Sequence, residues 1–185
     1  CIALKKAILP DGVTAIGESA FYGCEALSEA KLGGGMKSIG RYAFEKTGVY
    51  KAENKIYYVD GWVVGSDEDV SEIIIKDGIV GIADYSFYNR AGIDEFTLPP
   101  SVKIIGARAF SGSSLTGFDI CNAEEIGNYA FSGCKILGRK SVNLGKNLKK
   151  IGNYAFYNCK DYGNPKYDSV RIPSSVETVG TYAFR

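Results

Sequence analysis

One hexapeptide limits what this chain can fold into. Residues 126–131 and 151–156 both read Ile-Gly-Asn-Tyr-Ala-Phe, and near-copies stand at 16–21, 39–44, 82–87, 105–110 and 179–184. The shared pattern is I/V-G-x-x-A-F, with Ala83 in place of the glycine and Ser86 in place of the alanine in the third copy. The motif phenylalanines Phe21, Phe44, Phe87, Phe110, Phe131, Phe156 and Phe184 follow one another at steps of 23, 43, 23, 21, 25 and 28 residues. Self-similarity at a spacing of about 20–50 residues marks a solenoid, in which each unit buries its apolar face only by stacking on its neighbours.

Units that begin three residues after each motif Phe run 1–23, 24–46, 47–89, 90–112, 113–133, 134–158 and 159–185. The first two align without gaps: Leu4, Ala7 and Leu9 match Leu27, Ala30 and Leu32. Each unit reads as a short alternating strand, a turn, and a second apolar segment carrying the motif. Strand alternation predicts Ala30 and Leu32 on one face with Glu29 and Lys31 on the other. Turn chemistry follows at Pro10-Asp11-Gly12, Gly33-Gly34-Gly35, Lys76-Asp77-Gly78, Pro99-Pro100-Ser101 and Pro173-Ser174-Ser175. In the motif, Ile16, Ala20 and Phe21 are spaced to share one side of a short helical turn. The motif glycine is assigned to a backbone turn, and the phenylalanines to a ladder running through the core.

The third unit has 43 residues, close to two ordinary units. Within it Lys55-Ile56-Tyr57-Tyr58-Val59, Asp60-Gly61 and Trp62-Val63-Val64 read as a β-hairpin, near 54–66, replacing the motif half of one coil. About eight coils with strands ~4.8 Å apart predict a sheet roughly 35–40 Å long. The last unit carries a loop over 161–168, with Tyr162, Pro165 and Tyr167.

Charge and composition exclude several classes. The 185 residues carry 22 basic and 21 acidic side chains, a net charge of +1, so no strong field directs the chain to nucleic acid or anionic membrane. No apolar run is long enough to span a bilayer. Histidine is absent, which removes Ser-His-Asp and Cys-His nucleophiles and the commonest metal sets. The cysteines form no C-x-x-C pair. Cys24, Cys134 and Cys159 each follow a motif Phe by three residues, and Cys1 shares that register, which reads as a small buried residue repeated per coil. Stacked rungs bring Cys1 toward Cys24 and Cys134 toward Cys159, close enough for a bridge if the geometry suits, a secondary reading that stays open; Cys121 stands outside the register. Because Cys1 and Phe184 both fall within a repeat, the chain reads as a piece of a longer array. A lipid-bearing Cys1 is the weaker reading. Gly33-Gly34-Gly35 lacks the Lys-Ser/Thr of a phosphate loop and aligns with a turn. The acids Asp60, Asp67, Glu68 and Asp69 match no calcium-loop spacing. Tyr42, Tyr129, Tyr154 and Tyr182 share one motif position, so repetition explains them.

The full unit, I-G-x-x-A-F-x-x-C-x-x-L-x-x-(apolar)-x-L-P-x-x-V, resembles the BspA-like, or treponemal-type, leucine-rich repeat. The likeness covers essentially the whole chain and recurs seven times. It implies an α/β repeat solenoid: a leucine-rich repeat arc with a parallel β-sheet on its concave face, short helical or irregular convex segments and one inserted β-hairpin. Thr47, Arg90 and Ser113 depart from the pattern at the repeat Cys. The resemblance implies no catalytic residue, cofactor or metal. It implies a secreted or cell-surface, often bacterial, protein engaged in adhesion.

Two binding surfaces follow from the phase of the strands. Outward strand positions place Lys6, Ile8, Glu29, Lys31, Glu72, Ile74, Glu95, Thr97, Asp119, Ser141, Asn143, Ser169 and Arg171 on one face. Their mixed charges suit a protein ligand better than a polyanion. The hairpin offers Tyr57, Tyr58, Trp62 and Val64, half of which must pack back on the solenoid. The reading is a non-catalytic binding or adhesion module for a protein partner, host or microbial. A structural spacer, or the recognition domain of a longer enzyme or signalling protein, are the alternatives.

Overall fold

Short strands of alternating character, each too narrow to bury its own face, stack here as parallel rungs. The computed structural model describes residues 1–135, 142–159 and 171–185. The loop over 161–168 and positions Ser141 and Ser169 lie outside the described residues.

One row of rungs consists of β1 (Lys6–Ile8), β3 (Glu29–Lys31), β9 (Glu95–Thr97), β11 (Gly117–Asp119) and β13 (Val142–Asn143). β1 pairs with β3, and β9, β11 and β13 form a second group, all parallel and in register, so that Ala7 faces Ala30 and Phe96 faces Phe118. Glu29 and Lys31 are exposed while Ala30 between them is buried, as the alternation predicts. Residues 71–76 keep the same phase without pairing as a strand: Ile73 and Ile75 are buried, and Glu72 and Ile74 are exposed.

The second row is built by the motif itself. β2 (Ala15–Ile16) and β4 (Ser38–Ile39) form one parallel pair. β8 (Gly81–Ile82), β10 (Ile104–Ile105), β12 (Glu125–Ile126), β14 (Lys150–Ile151) and β15 (Thr178–Val179) follow in one sheet. The motif isoleucines lie directly opposite one another, Ile82 to Ile105 to Ile126 to Ile151. The fold is therefore a β-solenoid with two rows of parallel strands rather than one.

No helix occurs among the described residues, so the helical turn expected in the motif is replaced. After the strand the backbone makes successive tight turns, through a left-handed residue two places after the glycine and another two places after the Phe. The first set is Ser19, Tyr42, Tyr85, Arg108, Tyr129, Tyr154 and Tyr182, at φ of 53–61°. Left-handed φ costs a side-chain-bearing residue about 1–2 kcal/mol. Three hydrogen bonds per coil hold these turns: Tyr129, Phe131 and Gly133 N–H donate to the carbonyls of Asn153, Ala155 and Tyr157 at 2.8–2.9 Å. Equivalent triplets join the other stacked motif turns, such as Ser19, Phe21 and Gly23 to Arg41, Ala43 and Glu45.

The inward assignment of Ile, Ala and Phe holds in this different geometry: Ile126, Ala130 and Phe131 are all fully buried. The rings stack face to face, 5.1–5.2 Å apart, from Phe87 through Phe110, Phe131 and Phe156 to Phe184, with Phe21 on Phe44 as a separate pair. Phe96 and Phe118 interleave from the other strand row at 4.7 and 4.6 Å. The ladder is thus in two runs, interrupted between Phe44 and Phe87.

The interruption is the insert. β5 (Lys51–Glu53), β6 (Ile56–Val59) and β7 (Trp62–Ser66) form an antiparallel meander, so the expected hairpin carries one strand more than predicted. Its turns, Asn54-Lys55 and Asp60-Gly61, both have positive φ at the two central residues, the hairpin geometry that follows strand twist. β7 enters the motif row: Trp62 pairs with Gly81 and Val63 with Ile82, so Val63 stands where a motif isoleucine would. After Val63 no motif turn follows.

Candidate functional site

The first-strand face carries most of the predicted surface. Lys6, Glu29, Lys31, Glu72, Glu95, Thr97, Asn143 and Arg171 are exposed, and Asp119 is half-buried. Several are tied across rungs: Lys6 to Glu29 at 3.0 Å, Lys31 to Asp60 at 3.3 Å, and Asn143 to Asp119 at 3.0 Å. Ile8 and Ile74 are each 58% exposed on the same face. Exposed ion pairs of this sort contribute little to stability, on the order of 0–1 kcal/mol each.

Trp62 is not on that surface or on any other. It is 2% exposed, because β7 lies within the sheet instead of projecting from it. Its indole occupies the space over Gly81, where a Cβ would collide with the ring. Tyr57 is half-buried; its ring stacks on Tyr50 at 4.0 Å and its hydroxyl donates to Asp67 at 2.9 Å. Tyr58 turns to the first-strand side, with the Lys76 ammonium 4.4 Å from its ring.

The missing motif turn leaves a cleft of about 410 Å³ between the second and third motif copies. Arg41, Tyr42 and Glu45 form one wall; Asp84, Tyr85, Ser86 and Tyr88 form the other; Tyr50, Tyr57, residues 64–68 and Arg90 complete it. The Asp84 N–H reaches across to the Ile39 carbonyl at 2.9 Å, closing the cleft at its strand end. Arg41 lies over Tyr42 at 4.3 Å and over Tyr85 at 4.8 Å. The volume lies in the usual range for a ligand pocket, about 300–1,000 Å³. Burial pushes the Asp84 carboxyl and the Tyr50 phenol up from their ordinary values.

The same absence explains every departure in the third motif copy. Repeat cysteines donate to a Phe carbonyl of the coil before, Cys134 to Phe110 at 3.1 Å and Cys159 to Phe131 at 3.0 Å. The corresponding residue here is Arg90, which has no such Phe to reach. Its guanidinium spans to Ser66 instead, at 3.0 Å to the hydroxyl and 2.9 Å to the carbonyl. Ser86 satisfies the Val63 carbonyl at 3.3 Å and its own turn at Ala83 at 2.9 Å. Ala83 is tolerated because the coil behind it has no motif turn to meet its methyl group. All five cysteines are free thiols, and burial raises Cys134 to about 11 and Cys159 further, which makes them poor nucleophiles.

Of the sequence-predicted surfaces, Tyr57 and Val64 of the hairpin line the cleft, and the cleft itself was not among them. Its signal was the 43-residue step together with the three atypical residues Ala83, Ser86 and Arg90.

Comparison with known proteins fits this architecture. The chain spans 83–100% of itself but only about half the length of the first solved structures it matches. A leucine-rich repeat protein from Bacteroides ovatus is 21% identical, with 100% of this chain and 47% of that one covered, at a TM-score of 0.49. The pneumococcal vaccine antigen PcpA is 18% identical over 84% of this chain and 48% of its own, at 0.55. A leucine-rich repeat protein from Eubacterium ventriosum is 18% identical over 98% and 76%, at 0.50. At these identities the likeness to PcpA and to the Eubacterium ventriosum protein concerns the fold alone. No curated protein matches the chain. The family model for the BspA type leucine rich repeat region matches in six copies over residues 1–57 and 65–185, breaking off within the meander that displaces the motif turn. With repeat, rung and ladder agreeing over that span, the chain belongs to the BspA-type leucine-rich repeat family.

Proposed function

We propose that this chain is a non-catalytic binding module of a secreted or cell-surface protein, and that its first-strand face adheres to a protein partner, host or microbial. The observation that carries this reading is the outward face of the paired parallel rungs, where Lys6 lies beside Glu29 in one group and Thr97 beside Asp119 and Asn143 in the other, with side chains of both signs. Curved repeat arrays use such rows as extended contact surfaces. Mixed charge steers and orients a protein partner more than it adds raw affinity. The family resemblance supports the surface location, and one solved structure with the same fold is a pneumococcal vaccine antigen.

The test is binding of the chain to immobilised extracellular-matrix proteins, with Lys31→Glu, Glu95→Lys and Arg171→Glu combined. All three positions are solvent-exposed, so the variant is expected to melt with the parent while binding falls at least tenfold. Absence of binding by the parent, or binding that the triple variant retains, contradicts the proposal.

A further inference from the structure

The cleft left by the missing motif turn has walls that are the two halves of an unfilled hydrogen-bond ladder. At the other motif junctions three N–H groups of one turn meet three carbonyls of the next. At this junction, among the described residues, the N–H groups of Tyr42, Phe44 and Lys46 have no backbone partner. By register their acceptors are the carbonyls of Asp84, Ser86 and Tyr88. The Ser86 carbonyl takes the Ser66 hydroxyl at 2.7 Å, and the other two accept no backbone N–H. One wall therefore offers main-chain donors and the other main-chain acceptors, across a space that one rung of polypeptide would fill.

From this geometry we infer that the cleft binds a short turn-forming peptide segment of a partner protein, with basic side chains, as a replacement for the missing motif turn. Main-chain pairing along an open edge is the physical basis of strand-addition recognition. The sign of the side chains follows from the lining. Glu45, Asp67, Glu68 and Asp84 face two guanidinium groups, Arg41 and Arg90. With Asp84 accepting from the Ala107 N–H and Asp67 from the Tyr57 hydroxyl, four carboxylates against two guanidinium groups still leave the lining a formal net charge of −2, which complements Lys or Arg. Glycan binding is the contrary outcome of the test, because Tyr42 stays 41% exposed beside the Arg41 guanidinium.

This site is separate from the first-strand face, so the two proposals fail independently. The probe is an array of synthetic heptapeptides in which Gly and Ala alternate with Lys or Arg, with Glu or Asp, or with Gln, read by binding of the full chain. Basic members are expected to bind at least tenfold more tightly than acidic or neutral ones, and N-methylation of alternate peptide nitrogens is expected to abolish binding. Glu45→Lys combined with Glu68→Lys, neither of which the core requires, is expected to keep the parent melting temperature and shift preference toward acidic members. The Lys31→Glu, Glu95→Lys, Arg171→Glu variant is expected to leave peptide binding unchanged. Failure of every basic peptide to bind, indifference to N-methylation or to the Glu45/Glu68 reversal, or glycan binding lost in that same variant overturns the inference.

Discussion

Phe131→Ala is expected to cost about 3–5 kcal/mol of stability, the usual scale for deleting a fully buried aromatic. Phe131 has no exposed surface, and its ring touches three others: Phe110 and Phe156 at 5.2 Å, and Phe118 at 4.6 Å. The ring is held from both neighbouring coils, so the cavity cannot close by local collapse without moving two rungs. In a solenoid each unit is stabilised chiefly by its nearest neighbours, so the loss uncouples the coils on either side. Phe184→Ala provides the internal comparison. That ring is 37% exposed and stacks on Phe156 alone among the motif rings, so its removal is expected to cost clearly less. Denaturant unfolding of the two variants measures the difference. A Phe131→Ala protein melting within a degree or two of the parent would remove the ladder from the account.

Gly127→Ala is expected to be the second severe change. A Cβ at Gly127 would lie 2.6 Å from the Ala107 nitrogen and from the Gly106 carbonyl carbon, both main-chain atoms of the coil behind. The same encounter recurs at Gly106, Gly152 and Gly180, at 2.5–2.7 Å. Main chain cannot swing aside as a flexible side chain does, so the coils must part, at or beyond the top of the ~1–3 kcal/mol typical of overpacking. Gly17→Ala is the control: nothing lies within 4 Å of that Cβ. Its effect on the melting temperature is expected to be small, while Gly127→Ala lowers it by many degrees. Equal effects at the two positions would show that the glycines serve local backbone conformation and not the approach of coils.

This glycine marks where sequence reasoning stopped. The motif's recurrence made the stacking legible, and alternation in residues such as Glu29, Ala30 and Lys31 fixed which side chains face inward. Position within the motif could not distinguish a helical turn from a strand end followed by left-handed turns. The spacing of Ile, Ala and Phe satisfies both, and Tyr or Arg at a left-handed position contradicts ordinary preference. The coil-to-coil hydrogen bonds tip the balance, and those are properties of the stack that no single unit contains. Trp62 failed for a related reason. A lone tryptophan on a hairpin reads as an anchor, but Gly81 on the adjacent rung opens a seat for it, and that pairing joins residues 19 apart in sequence. The cleft was hidden because its signature is an absence. Ala83, Ser86 and Arg90 each looked like tolerated drift, and only the missing turn gives them one cause.

The central claim is that every stacked motif turn is bonded to the next except where the meander removes one. Residue-resolved amide hydrogen exchange tests this directly, since protection follows the hydrogen bonding and local opening of each amide. The amides of Phe87, Phe110 and Phe131, which donate to the Ala109, Ala130 and Ala155 carbonyls, are expected to exchange slowly. Those of Tyr42, Phe44 and Lys46 are expected to exchange at least a hundredfold faster, although Phe44 is as buried as its counterparts. Protection of these three equal to that of the ladder amides would mean that the gap is bridged, and would contradict the account.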